Sequence, residues 1–211
     1  MDGARRYVGD IKETLDRLPW EDIERAVEVL ARARLSDRQV FIMGNGGSAA
    51  TASHFACDLA KGTLLPGRPR FRVIALTDNM PLFSALANDY GYHRVFIEQL
   101  ASLVRPGDIV IGISGSGKSP NVVNALHFAR QMGATTIGMT GYDGGEVKPL
   151  VDVCIHVRNG CMEQVEDLHL LLEHLVCTEL RHRIGAGDCP ADGRAVAVEE
   201  AMRKAEGKYE G

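Results

Sequence analysis

Three groups of residues in this chain have side chains and spacings suited to chemistry. Ser114-Gly115-Ser116-Gly117, followed by Lys118, Ser119 and Pro120, has the composition of an anion cradle. It follows Asp108–Ile113, a β-branched run that reads as a strand buried on both faces, and precedes an amphipathic helix pattern reaching Arg130. Ser119 can cap that helix, with Pro120 in its tolerated first turn. Backbone N–H groups at a helix start attract an anion, and the short hydroxyls can donate to its oxygens. A second turn, Gly44-Asn45-Gly46-Gly47-Ser48, lets the backbone approach a ligand closely. The third group is divided between two helix patterns. His54 and Asp58 stand four apart and therefore on one face. Such a pair can be a surface pair, a satisfied core histidine, or an acid–base or metal pair. The run from about Met162 to Arg183 is rich in leucine yet carries Glu163, Glu166, Asp167, His169, Glu173 and His174. Acids in its first turns suit the helix dipole. His174, inside the apolar stretch LLLEHLV, needs a partner or a function.

Gly112 to Ser119, GISGSGKS, also matches the nucleotide-binding pattern G-x-x-x-x-G-K-[ST]. The match begins more than a hundred residues into the chain, and the next apolar run, ATTIGMT, has no acid to hold Mg²⁺. A second Gly/Ser loop of similar build precedes it. These features favour a sugar phosphate over a nucleotide.

The elements that must position these groups alternate. Residues 4–19 and 21–35 read as two amphipathic helices, with Ile23, Ala26, Val27, Val29 and Leu30 at helical spacings in the second. Such a hairpin can cover the core or pack on another subunit. Strands follow at Gln39–Met43, Arg70–Leu76, Asp108–Ile113, Thr135–Thr140 and Val153–Val157, with helices between them. One helix runs from about Ala49 to Lys61. Another, from about Pro81, is expected to end at Ala87-Asn88-Asp89-Tyr90-Gly91-Tyr92, where Asn88 and Asp89 can be turn formers or can bind sugar hydroxyls. Strands alternating with helices through short loops predict an α/β three-layer sandwich, a mainly parallel five-stranded sheet covered on both faces. Residues 1–185 are expected to form one domain and 186–211 a tail, either a short helix or disordered.

Composition is that of an ordinary globular protein, 45% hydrophobic and 25% charged over 211 residues. A net charge of −4 argues against a general binder of nucleic acid or anionic membranes. There is no secretory leader pattern and no apolar run long enough to span a bilayer, so a cytoplasmic protein is expected. The cysteines at 57, 154, 161, 177 and 189 are odd in number and lack zinc-finger spacing, which predicts reduced, mostly buried thiols.

GNGGSAATASHFACDL, ANDYGY, ISGSGKSPNVVNAL, MTGYDGG and the helix E-x-x-E-D-x-H-x-x-x-x-H resemble, in order and spacing, the phosphoheptose isomerases among the sugar isomerase (SIS) domain proteins. The resemblance covers about residues 5 to 183 and decides against nucleotide. It implies a flavodoxin-like fold and a homotetramer with sites near subunit interfaces, often with zinc. It also implies aldose–ketose isomerisation of sedoheptulose 7-phosphate to D-glycero-D-manno-heptose 7-phosphate. By matching motif, Asn45, Gly46, Gly47, Ser48, Asn88 and Asp89 would contact substrate, and Ser114, Gly115, Ser116 and Ser119 would hold the phosphate. His54, Asp58, Glu166 and His174 fall where the family places metal ligands and acid–base groups, with Asp58, Glu166 and His174 as candidate catalysts. Moving a carbonyl between C1 and C2 needs a base, an acid and stabilisation of an enediolate, which a carboxylate, an imidazole and Zn²⁺ can supply.

The chain departs from the family's usual residues at four positions. Asp58 replaces Glu and is one methylene shorter; Glu166 replaces Gln; Gly115 and Lys118 replace Thr and Asn. Glu166 could take over as base or join a more anionic metal site with His54 and His174. Its eight-residue separation from His174, about 12 Å along a helix axis, would then require a long reach or ligands from different subunits. Lys118 adds a positive charge beside the expected phosphate. The resemblance also admits a second reading, a non-catalytic SIS protein that binds a sugar phosphate or a protein partner in a regulatory role.

Overall fold

In the computed structural model, residues 1–187 and 193–206 are described. The chain opens with α1 (Asp2–Leu15) and α2 (Trp20–Leu35), the expected helical pair. Ile23, Ala26, Val27, Leu30 and Ala33 of α2 are buried at helical spacing and pack it onto the sheet. Then follow β1 (Gln39–Gly44), α3 (Gly47–Cys57), β2 (Arg72–Ala75), α4 (Met80–Tyr90), α5 (Val95–Leu103), β3 (Ile109–Ser114), α6 (Pro120–Gln131), β4 (Thr135–Thr140), α7 (Val147–Leu150), β5 (Val153–His156) and α8 (Met162–Ala186). The sheet is entirely parallel with the order β2-β1-β3-β4-β5.

Strand alternation divides the core into two layers. Val40, Ile42, Ile109, Ile111 and Ile113 join α2, α3 and α8 on one face, while Phe41, Met43 and Val110 join α5 and α6 on the other. Burying each such isoleucine contributes about 1.5–3 kcal/mol. The strands therefore read as continuous apolar runs, and the three-layer sandwich expected from sequence is the fold observed.

Local departures from the expected boundaries have identifiable causes. The helix expected to reach Lys61 ends at Cys57 and continues as a π-helical turn over Asp58–Gly62. Asn88 and Asp89, expected in a loop, are the last-turn residues of α4, which stops only where Gly91 takes φ 86°. The described cysteines are free thiols, but only Cys177 is buried; Cys154 and Cys161 are half-buried and Cys57 is exposed. Within the stretch read as a tail, Gly193–Glu206 forms α9, whose Glu199 Oε1 accepts a hydrogen bond from Gly67 N at 2.5 Å. Residues 188–192, including Cys189, and 207–211 lie outside the described residues. No helix among the described residues is long and apolar enough to cross a membrane.

Candidate active site and metal centre

The two glycine-rich turns leave the carboxyl ends of neighbouring parallel strands, where ligands of open α/β sheets gather. Gly44 of β1 is paired with Ile113 of β3, so Asn45–Ser48 and Ser114–Ser119 emerge side by side. Asn45 and Asn121 bind each other through reciprocal amide hydrogen bonds, each 2.9 Å, and Tyr92 donates its hydroxyl to Asn45 Oδ1 at 2.8 Å. The Ser114 hydroxyl donates to Ser119 Oγ at 3.1 Å, and Lys118 N donates to Ser116 Oγ at 3.2 Å. Ser119 therefore holds the turn closed; its hydroxyl makes no capping bond to α6, contrary to the sequence expectation, and its carbonyl accepts from Val122 and Val123 instead.

Beside this turn lies a cleft of about 670 Å³ lined by Ser116, Lys118, Tyr142, Arg158, Asn159 and Met162. Lys118 Nζ is 3.5 Å from Asp143 Oδ2. A backbone hydrogen bond from Gly145 and the Lys118 charge hold the Asp143 carboxyl below its ordinary range. The turn is pressed against the start of α8, since a Cβ on Gly115 would collide with Met162 Sδ. A Cβ at position 115 is accommodated only if the flexible Met162 side chain swings aside.

One turn further along α8, Glu166 packs against the other loop. A Cβ on Gly47 would lie 2.5 Å from Glu166 Oε2. The Glu166 carboxylate consequently sits at the N-terminus of α3, whose dipole favours a negative charge.

The third group comes together where α3 meets α8. His54 Nε2 and His174 Nε2 are 3.3 Å apart, with the rings T-shaped. Asp58 Oδ2 is 3.8 Å from His54 Nε2 and 3.7 Å from His174 Nε2. Glu173 Oε1 is 3.8 Å from His54 Nε2 and 3.3 Å from His174 Nε2. The ligand atoms of all four residues lie within 4.8 Å of one another. Glu173 is fully buried, and its Oε1 finds no hydrogen-bond donor among the described residues. Burial, and then the Asp58 charge, push its pKa up to about 8. Two imidazoles and two carboxylates, one with an unanswered buried oxygen, are a donor set that fits a divalent cation.

The structure thus gathers His54, Asp58 and His174 as expected, but it does not bring Glu166 to them. Eight residues along one rigid helix separate Glu166 from His174, and Glu173, immediately before His174, occupies the position instead. Asn88 and Asp89 pair with each other at 2.9 Å on the exposed end of α4, while Tyr92 is the residue of that motif that reaches Asn45. Glu173, Tyr92, Asn121 and Met162 carried no role in the sequence reading. A charge inside LLLEHLV was the available signal for Glu173. His169, between Glu166 and Glu173 on α8, is buried with neither ring nitrogen in a well-formed hydrogen bond to a described residue, and burial lowers its pKa to about 4.

Comparison with known proteins identifies the family and the fold. The SIS domain family matches residues 6–141. The phosphoheptose isomerase of Aliarcobacter butzleri (strain RM4018) is 41% identical over 166 residues, covering 77% of this chain and 87% of the relative. Among solved structures, phosphoheptose isomerase GmhA from Neisseria gonorrhoeae superposes with a TM-score of 0.77 at 30% identity, covering 85% of this chain and 95% of that one. A phosphoheptose isomerase from Francisella tularensis superposes with a TM-score of 0.79 at 27% identity, covering 86% and 95%. The family match over residues 6–141 and the identity to these relatives place the chain in the SIS domain proteins and, within them, in the phosphoheptose isomerase family.

Proposed function

We propose that this chain is an aldose–ketose isomerase converting sedoheptulose 7-phosphate, or a closely related long-chain ketose phosphate, to D-glycero-D-manno-heptose 7-phosphate. The observation that carries the reading is the coexistence of two features in one chain of this family. One is a hydroxyl-lined turn suited to a phosphate, and the other is a cluster of carboxylates and imidazoles suited to proton transfer.

In this reading Ser114, Gly115, Ser116 and Ser119 hold the phosphate, and Asn45, Gly46, Gly47, Ser48, Asn88 and Asp89 meet the sugar. A carboxylate, Asp58 or Glu166, takes the proton from C1 of the ketose. The C1–H electron pair becomes the C1=C2 bond of the enediol as the C2 carbonyl oxygen gains a proton. Return of a proton to C2 and loss of the O1 proton leave the C1 aldehyde. His174 serves the oxygens, since an imidazole can give and accept protons near neutral pH. Zn²⁺ held by the cluster would, when bound, polarise the substrate oxygens.

We take the working form to be a homotetramer with sites near subunit interfaces. Two observations support assembly: α4 buries none of its residues yet exposes Met80, Leu82 and Tyr90, and Trp20 is exposed in a groove that His174 also lines. A cytoplasmic location is consistent with the free thiols. The test is direct: purified protein with sedoheptulose 7-phosphate, aldose formation followed by NMR, before and after chelation and after adding Zn²⁺. Turnover lost on chelation and restored by zinc is the expected result. Tight binding without turnover would favour the regulatory reading, and no binding would overturn the phosphate assignment.

A further inference from the structure

The donor atoms around His54 and His174 have a geometry that can be compared with a coordination shell. Tetrahedral ligands at about 2.0–2.2 Å from zinc stand about 3.3–3.6 Å from one another. Here the separations between one imidazole nitrogen and another, or between an imidazole nitrogen and a carboxylate oxygen, are 3.3, 3.3, 3.7, 3.8 and 3.8 Å. Three of the four residues are partly open to solvent, but Glu173 is fully buried. Its Oε1 faces both imidazoles and accepts no hydrogen bond from a described residue. A buried carboxylate oxygen left in this way is costly unless a cation answers it.

We propose that Glu173 is a metal ligand of this chain, completing with His54, Asp58 and His174 a centre of two imidazoles and two carboxylates. This rests on reading the cluster as a metal centre. All four ligands then come from one subunit, and Glu166 is released from ligation to remain beside Gly47 at the start of α3. Two carboxylates neutralise a divalent ion, and the mixed nitrogen and oxygen set suits Zn²⁺ or Co²⁺.

The experiment uses full-length protein stripped with chelator, titrated calorimetrically with Zn²⁺ and spectroscopically with Co²⁺, whose visible absorption reports its ligands. Glu173→Gln should weaken Zn²⁺ binding by more than about a hundredfold, beyond the 10–100-fold typical of a group that only orients a ligand, and should alter the Co²⁺ spectrum. Glu173→Leu, which keeps side-chain bulk without an oxygen, should bind as weakly and melt no lower than the parent. Glu166→Gln should leave affinity and spectrum unchanged. Parent-like binding and spectrum in Glu173→Gln would overturn the proposal while leaving the metal centre standing. So would their loss in Glu166→Gln in place of Glu173→Gln. Failure of the unaltered protein to bind either ion stoichiometrically would instead overturn the metal centre, and Glu173's part with it.

Discussion

His54 Nε2 and His174 Nε2 lie 3.3 Å apart although 120 positions separate the two residues in the chain. The packing of α3 on α8 creates this approach, with Ala52 and Phe55 of α3 and Leu172 and Val176 of α8 in the same buried layer. Two imidazole nitrogens this close cannot both hold a proton pointed at the other. They share one, or both turn lone pairs toward a cation.

His174→Ala and Asp58→Asn should therefore remove function without removing the fold. His174 is about half exposed, so its loss leaves no large cavity. We expect kcat to fall by about 10²–10⁴-fold, the usual contribution of a positioned acid or base, with the melting temperature and assembly state preserved. Normal kcat in both variants would exclude the cluster from catalysis.

The Gly115–Met162 approach predicts a suppressible defect. Restoring the family's residue with Gly115→Thr places a Cβ against Met162 Sδ, and overpacking of this kind costs about 1–3 kcal/mol. Urea denaturation should show that loss, and Met162→Ala in the same chain should recover part of it. Equal destabilisation with and without Met162 would mean that the strain arises elsewhere.

Lys118 offers a charge at the rim of the cleft, tempered by Asp143. Lys118→Asn should raise KM for a phosphorylated substrate several-fold and leave kcat nearly constant, because the charge acts on binding. The parent's KM should also rise with ionic strength more steeply than the variant's. Identical salt dependence in the two proteins would remove Lys118 from phosphate recognition.

The pH dependence of stability carries two opposed contributions in metal-free protein. His169, lowered by burial to about 4, remains neutral in the folded chain while the unfolded chain protonates near 6.5. The unfolded state thus binds more protons between these values, and stability is lost as pH falls from about 6.5 to 4, by about 3 kcal/mol in full. Glu173, raised to about 8, takes up its proton when folded before the unfolded chain does. Its contribution grows as pH falls from about 8 toward its unfolded value near 4.3. The difference between parent and His169→Leu isolates the histidine: the variant's urea midpoint should gain on the parent's as pH drops from 6.5 to 4. A constant difference across that range would exclude the buried-histidine account.

The strands and both glycine-rich turns were legible because parallel strands buried on two faces must be apolar throughout, and a turn that lets a ligand approach must be small. The helix bearing His54 was legible as the element that follows a strand and a glycine-rich turn, but Asp58 lies just past its end, in the π-helical turn. What could not be read was which of several acids on α8 reaches the cluster. Glu163, Glu166, Asp167 and Glu173 are equivalent as charges, and only the crossing of α3 over α8 selects Glu173. The roles of Tyr92 and Asn121 likewise depend on a side-chain pairing with Asn45 that neither local period nor composition encodes. Asn88 and Asp89 looked like loop residues because they are turn formers, yet α4 runs through them to Tyr90.

Met162, Glu166 and the pair Glu173–His174 all stand on α8, and they face in turn the Ser114–Ser119 turn, the Gly47 loop and the histidine cluster. A helix is stiff along its axis, so these three stations move as one body. A slide of a single residue, about 1.5 Å, would spoil all of them together. On the proposed reading, any influence that a phosphate at the start of α8 exerts on a cation held midway along it must be returned in equal measure, because coupling between two binding events is reciprocal. On that reading, the helix makes anion affinity and cation affinity two readings of one mechanical position.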